Sequence, residues 1–252
     1  MTDIIKDAVR AEDAPGMFQI KQRFTGDVLF ECKLPVEVET APYKLKLGFA
    51  VKAAVKACAN LARANLADAD LACANLARAN LAGANLACAN LAGANLVCAN
   101  LARANLAGAN LVDANLVDAD LAGANLACAN LVDANLAGAN LVDANLVDAD
   151  LASADLAGAN LARADLACAN LARANLAGAN LVDAGQRSDG YRFIGWVIGG
   201  VLQIRAGCRN LSITEARKHW AKTRGGTQLG DETMVILDHI ERVAKIRRLL
   251  KS

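Results

Sequence analysis

The chain has 252 residues, 27 Lys and Arg against 26 Asp and Glu, and 55% hydrophobic residues, yet only 4% are aromatic. Its apolar residues are mostly Ala and Leu, which excludes a core of large interlocking side chains, and its 19 Gly lack the every-third-residue period of collagen. A net charge of +1 with abundant Leu excludes a disordered chain, and Asn or Asp at every fifth repeat position excludes an uncharged apolar run long enough to span a bilayer as a helix.

The start, MTDIIKDAVRAED, lacks a basic segment followed by an apolar run, so it predicts a cytoplasmic protein with no secretory signal. Residues 17 to 34 alternate apolar and polar around Thr25-Gly26-Asp27, which predicts a hairpin. Residues 43 to 58, YKLKLGFAVKAAVKAC, read as a degenerate coil or a short helix that closes the next segment, with Phe49 and Val51 covering its first leucines.

From Leu61 to Leu181 every fifth residue is Leu, 25 in all, each preceded by Asn or Asp and that by Ala. The unit is Ala-(Asn/Asp)-Leu-(Ala/Val)-x, with x Arg, Asp, Cys, Gly or Ser. Five residues advance about 500° around an α-helix, so the leucines would point to all sides, and on a straight strand an odd period would alternate them between faces. The chain must turn once per unit. Residues two apart on an extended piece share a face, so Ala64 and Leu66 point inward, Asn65 points out, and the last two positions form the corner.

This pattern resembles the pentapeptide-repeat family over residues 59 to 184. The resemblance implies an all-β solenoid, a right-handed quadrilateral β-helix with four units per coil, here about six coils with hairpin and helix flanks. At about 4.8 Å per coil the rod would be about 30 Å long, with a dry interior of Leu over Leu and Ala over Ala. The chain then divides into a capping segment at 1–58, the repeat at 59–184, and a hairpin plus helical segment at 185–252. All 25 units keep both Ala and Leu, a regularity that fits recent duplication or an engineered consensus sequence.

After Gly185, YRFIGWVIGGVLQIRAGC predicts a second hairpin about Gly199-Gly200. Ser212 and Glu215 form a capping box that opens a helix containing Trp220. A Gly-rich break from Thr223 to Gly230 precedes a longer helix from Asp231 to Lys251, with Leu237, Ile240, Val243 and Leu250 available for packing.

Charge divides by segment: residues 59–184 carry 12 Asp and 5 Arg, while residues 185–252 carry 13 basic and 6 acidic groups. Between Arg103 and Arg163 lie Asp113, Asp118, Asp120, Asp133, Asp143, Asp148, Asp150 and Asp155 with no Lys or Arg among them, and these eight are the candidate interaction surface. Eight cysteines include no Cys-x-x-Cys. Six of them, Cys58, Cys73, Cys88, Cys98, Cys128 and Cys168, fall at turn positions and none stacks on another in a 20-residue coil, so all six are expected as free thiols. Gly225-Gly226 and Gly230 lack the Gly-Lys-Ser/Thr of a phosphate loop, and His219 reads as a helix side chain. Lys245, Arg247, Arg248 and Lys251 read as a solvated helix end. The repeats contain no Thr, against an ice-binding ladder.

These residues predict no enzyme, no cofactor, no metal site and no small-molecule substrate. They point to a noncatalytic scaffold or protein-interaction module without direct nucleic-acid or membrane contact, whose final helix offers apolar residues for a homodimer through terminal segments. The alternative is a DNA mimic: some members of the family resemble duplex DNA in charge and diameter and occupy the DNA-binding saddle of a type II topoisomerase. A map of charge around the coil would separate the two, one continuous negative side favouring mimicry.

Overall fold

A computed structural model of the chain describes residues 17–166, 168–179, 181–186, 188, 192–198, 201–206 and 209–246. The repeat is organised by parallel bridges between residues 20 apart, from Asn65–Asn85 to Asp155–Asn175, so that one coil is four five-residue units. All the bridges are isolated, single-residue contacts. The described repeat residues from 61 to 179 therefore form no continuous strand and no closed sheet, and the expectation of an all-β solenoid is met in part. The stacking period is there; extended strands are not, because each unit turns before a second residue can pair.

Backbone hydrogen bonding explains why five residues suffice. In the unit from Ala84 to Cys88, Ala84 N–H donates to the Leu81 carbonyl (2.9 Å) and closes the preceding turn. Asn85 donates to Ala64 in the coil before (2.9 Å), while Leu86 and Cys88 donate to Asn105 and Ala107 in the coil after (2.7 and 3.0 Å). The fifth donor, Ala87 N–H, is bonded to the Asn85 side-chain Oδ1 at 3.3 Å. All five N–H groups of the unit have partners, as a buried backbone requires. In nearly every described unit the Asn or Asp before the Leu is thus the acceptor for the one N–H that neighbouring coils leave over, Asn65 being an exception.

The core is the inward row of Ala and Leu, with Leu61 through Leu156 at 0% exposure and Leu166, Leu171 and Leu176 at 1, 4 and 7%. From Cys58 to Gly178 the residue at x has a left-handed backbone: 18 non-glycine residues with φ between 53° and 60° occupy it, among them Arg63, Cys88 and Asp113. Glycine tolerates that region freely and Asp moderately, whereas Arg and Cys hold it at a steric cost of about 1–2 kcal/mol each.

At the N-terminal end, β1 (Met17–Lys21) and β2 (Val28–Lys33) form the predicted antiparallel hairpin. Gln22 bridges Ala64 in antiparallel sense, and Asn65 N–H donates to the Lys21 carbonyl at 2.9 Å, so the hairpin stands in for the missing coil before the first. A short turn of helix, α1 (Val36–Glu39), leads to α2 (Tyr43–Lys56). The segment read as either a degenerate coil or a helix is thus a helix. Its apolar residues Leu47, Ala50, Val51 and Ala54 recur at helical spacing and lie on the first leucines. Val51 is fully buried there and Phe49 half-buried. Gly48 is required by contact: a Cβ on it would overlap the Asp70 carbonyl oxygen. Asp70 N–H donates to Lys44 O in the same region (3.1 Å).

At the other end the last repeat runs into a sheet. β3 (Leu181–Gln186), β4 (Arg192–Ile198), β5 (Val201–Ala206) and β6 (Arg209–Ser212) pair antiparallel in that order. Ile198 pairs with Val201, leaving the two residues expected for the hairpin turn; Gly199 and Gly200 themselves lie outside the described residues. The sequence reading supplied β4 and β5 but not β3 or β6. The capping box at Ser212 and Glu215 is present and opens α3 (Ile213–Arg224). α4 (Gln228–Ile246) begins three residues earlier than expected, and its expected end at Leu250 and Lys251 lies outside the described residues. Phe193, Leu202, Ile204, Trp220, Leu237 and Ile240 form a second core, while the neighbouring Ile194 packs into the core of the repeat. Gly195 admits α4: a Cβ there would collide with Ile240.

Candidate interaction surface

The eight candidate aspartates occupy two kinds of position. Asp113, Asp118, Asp133, Asp143 and Asp148 are x residues at the corners, exposed and left-handed. Asp120, Asp150 and Asp155 replace the turn asparagine and are half-buried. Their Oδ1 atoms accept from Ala122, Ala152 and Ala157 N–H at 3.1, 3.1 and 3.0 Å and from the Nδ2 of Asn140, Asn170 and Asn175 one coil on, each at 2.9 Å. These three are engaged in holding the coils together, a role the sequence reading did not give them. The signal was present, since each stands where the other units carry Asn.

Side-chain amides form directional ladders. Asn105 donates to Asn85 Oδ1 (3.0 Å), Asn125 to Asn105 (3.2 Å) and Asn145 to Asn125 (3.1 Å), always toward the preceding coil. An Asp can accept in such a ladder but cannot donate. Two stacked aspartates would leave two carboxylates facing each other, and no two aspartates at this position are 20 residues apart.

A period of 20 sorts the corner residues into four edges. One carries Arg63, Gly83, Arg103, Gly123, Asp143 and Arg163; the next Asp68, Cys88, Gly108, Cys128, Asp148 and Cys168. The third carries Cys73, Gly93, Asp113, Asp133, Ser153 and Arg173, and the fourth Arg78, Cys98, Asp118, Gly138, Gly158 and Gly178. Asp113 and Asp133 are the one like-charged pair of corners stacked directly. Asp143 is paired instead: Arg163 Nε donates to its Oδ1 at 2.6 Å. That hydrogen bond, with the positive charge of the guanidinium, holds the Asp143 carboxyl below its ordinary range.

Charge is unevenly shared between opposite faces. The face between the second and third edges holds Asp68, Asp70, Asp113, Asp133, Asp148 and Asp150 with Arg173. The face between the fourth and first holds Arg63, Arg78, Arg103 and Arg163 with Asp118, Asp120 and Asp143. The acidic face is not continuous, because the second coil contributes Cys88, Asn90 and Gly93 to it.

The expectation of six free turn cysteines is corrected at one position. Cys58, Cys73, Cys88, Cys98 and Cys128 are free and exposed, and Cys32 of β2 is free, whereas Cys168 is disulfide-bonded. The stacking argument covered only bonds between turn positions, and the other five turn cysteines make none. The remaining cysteine of the sequence, Cys208, lies outside the described residues. Among the described residues no group of three or more His, Cys, Asp and Glu is placed to hold a metal ion, and no helix is long and apolar enough to cross a membrane. His219 sits on α3 with its ring edge-on to Trp220 at 5.0 Å, and Gly225 and Gly226 fall in the break between α3 and α4.

The profile described as pentapeptide repeats (8 copies) matches residues 59–96, 84–121, 99–136, 114–151, 129–166 and 144–183. Through this segment the chain belongs to the pentapeptide-repeat family. Among solved structures it is similar to HetL, a pentapeptide repeat protein involved in heterocyst differentiation regulation from the cyanobacterium Nostoc. The identity is 37%, over 48% of this chain and 65% of that one, with a TM-score of 0.39. A pentapeptide repeat protein, Rfr23 from Cyanothece, matches at 41% identity over 38% of this chain and 58% of its own, TM-score 0.17. QnrB1, a plasmid-mediated fluoroquinolone resistance protein, matches at 19% identity over 38% and 60%, TM-score 0.28. The chain thus spans less than two thirds of each of these structures. No curated protein matches the chain.

Proposed function

We propose that the protein is a noncatalytic interaction module, with the repeat wound as the right-handed quadrilateral β-helix its family resemblance implies and divided from its flanks at about residues 58 and 184. One observation carries the reading. Among the described residues from Leu61 to Ala179, each repeat Leu and the Ala two residues before it are buried, Ala169 excepted, and what varies from unit to unit is the corner residue on a rigid frame. Such a frame presents side chains at fixed spacing, about 4.8 Å along an edge. The partner is a protein recognised through the corner aspartates Asp113, Asp118, Asp133, Asp143 and Asp148, and the compartment is the cytoplasm, a reading that the Cys168 disulfide weighs against. Affinity capture from bacterial lysate with the full chain and with Asp113, Asp118, Asp133 and Asp148 changed to Asn tests this. A partner retained by the first and lost from the second supports it; identical capture by both counts against it.

A second reading, mimicry of DNA toward a type II topoisomerase, is favoured by the six aspartates that share one face. The acid-free second coil and Arg173 break that face, so an extended basic saddle would meet gaps. The full chain should leave DNA gyrase supercoiling unchanged. Inhibition that weakens with salt and disappears in the four-aspartate variant would overturn the module reading in favour of mimicry.

A further inference from the structure

The first coil has no coil before it, and the N–H donors of Asn65, Asp70 and Asn75 meet different fates. In later coils the N–H of each Asn or Asp before a Leu donates to an Ala carbonyl of the preceding coil, as Asn95 does to Ala74 at 2.9 Å. In the first coil Asn65 finds Lys21 O and Asp70 finds Lys44 O (2.9 and 3.1 Å). Asn75 finds none among the described residues. The carbonyl 21 positions before it, that of Ala54, accepts from Ala59 N–H at 2.9 Å where α2 ends.

Asn75 N–H is therefore a donor aimed at the N-terminal end of the coils, and a groove of about 520 Å³ lies there. It runs between α2 and the first coil, lined by Lys52, Val55 and Lys56 on one side and Cys73, Ala74, Asn75 and Ala77 on the other. Lys52 and Lys56 are one helical turn apart and exposed, and no acidic residue lines the groove. The groove lies at the C-terminal, negative end of α2, and it is the Lys52 and Lys56 charges that would offset that end for an anion. Three of its last carbonyls, those of Ala53, Ala54 and Val55, already accept from Ala57, Ala59 and Cys58 at 3.0, 2.9 and 2.9 Å.

Two lysines and an asparagine with an unused backbone N–H line one groove, a set that suits a tetrahedral dianion with three accepting oxygens better than a carboxylate. The groove is far larger than a bare phosphate, and Val55, Ala74 and Ala77 offer apolar contact to whatever the phosphate carries. We propose that this groove binds a phosphate monoester with a compact organic body, the phosphate held by Lys52, Lys56 and Asn75 N–H. The site is independent of the corner aspartates and lies outside the dry interior of the repeat.

Adenosine monophosphate and inorganic phosphate are the probes, titrated into the full chain by calorimetry and by ¹⁵N–¹H correlation spectra. Saturable binding of adenosine monophosphate is expected, with the Asn75 amide resonance moving downfield. Affinity should fall about tenfold in Lys52→Gln and in Lys56→Gln, the loss of one charge-assisted contact, while Lys222→Gln on α3 binds like the wild type. The spectra of the unaltered chain keep the test valid if a variant is poorly folded. A stationary Asn75 resonance, binding undiminished in both groove variants, an equal loss in Lys222→Gln, or inorganic phosphate bound as tightly as the ester would each overturn the proposal.

Discussion

A buried leucine and an exposed corner aspartate differ in consequence although they sit three residues apart. Leu121 is at 0% exposure, stacked between the leucines of the adjoining coils, and those rows are fixed by backbone bonds that cannot close a gap. Leu121→Ala should therefore cost about 2–5 kcal/mol in a denaturant melt, while Asp118→Asn shifts the midpoint little. Equal effects would mean that the inward and outward rows are misassigned. The asparagine before each Leu falls between these extremes. Asn125→Ala removes the acceptor for Ala127 N–H (3.2 Å) and the donor to Asn105, and should cost about 1–3 kcal/mol by the same measurement.

Backbone conformation gives a residue-scale expectation of opposite sign. Cys88 holds φ at 56° and the residue above it on its edge is Gly108, so Cys88→Gly removes a left-handed Cβ without opening the core. Stability should rise by up to about 1 kcal/mol, the steric relief being partly offset by the greater unfolded-state freedom of glycine. Asp143 adds a pH dependence. Its carboxyl is held below the ordinary range by Arg163, so the pair favours the folded state above the unfolded carboxylate range and ceases to do so as pH falls through the lowered value. Asp143→Asn should abolish that acid-side change in a melt series; both partners are exposed, so added salt should shrink it as well.

At the scale of elements, the caps decide whether the coils have ends. α2 approaches the first coil so closely that Gly48 has no room for a methyl group against the Asp70 carbonyl. Gly48→Ala must push the helix off the first leucines, with an expected loss of about 1–3 kcal/mol and increased exchange of the Asp70 amide with solvent. A melt matching the wild type would show that the helix is not seated as described. Helix α3, by contrast, is secured at its start by Ser212 and Glu215. Ser212 N–H donates to Glu215 Oε2 at 2.8 Å, and Glu215 N–H donates to Ser212 Oγ at 3.2 Å. The sequence announces that box through residues three apart. It gives no such notice of β3, because Leu181 still obeys the repeat while its backbone already pairs with Trp196.

At the scale of the whole molecule, the disulfide at Cys168 and the exposed thiols along the coils make a direct measurement available. Alkylation of the unreduced protein should label the six free cysteines Cys32, Cys58, Cys73, Cys88, Cys98 and Cys128, and reduction should add to that number. An unchanged count after reduction would remove the bond and restore the expectation of free thiols at every turn.

The amino-acid sequence by itself determined that the chain must turn once every five residues and which residues point inward, because no helix or flat strand can bury an odd five-residue Leu period. It also determined the capping box and the first hairpin, whose signals are local. Tertiary structure alone decided how many units close a coil. A strict period of five is compatible with any number of sides, and only the bridges from each residue to the one 20 positions later select four. From that one number follow the sharing of the aspartates among four edges, the Arg163–Asp143 pair and the unanswered N–H of Asn75. The two positions of aspartate are legible in the repeat, but the stack decided the hydrogen-bonding role of those before Leu. It depends on which backbone N–H is left over when the coils have bonded to one another, and that is a property of the stack, since no single unit contains its own partners.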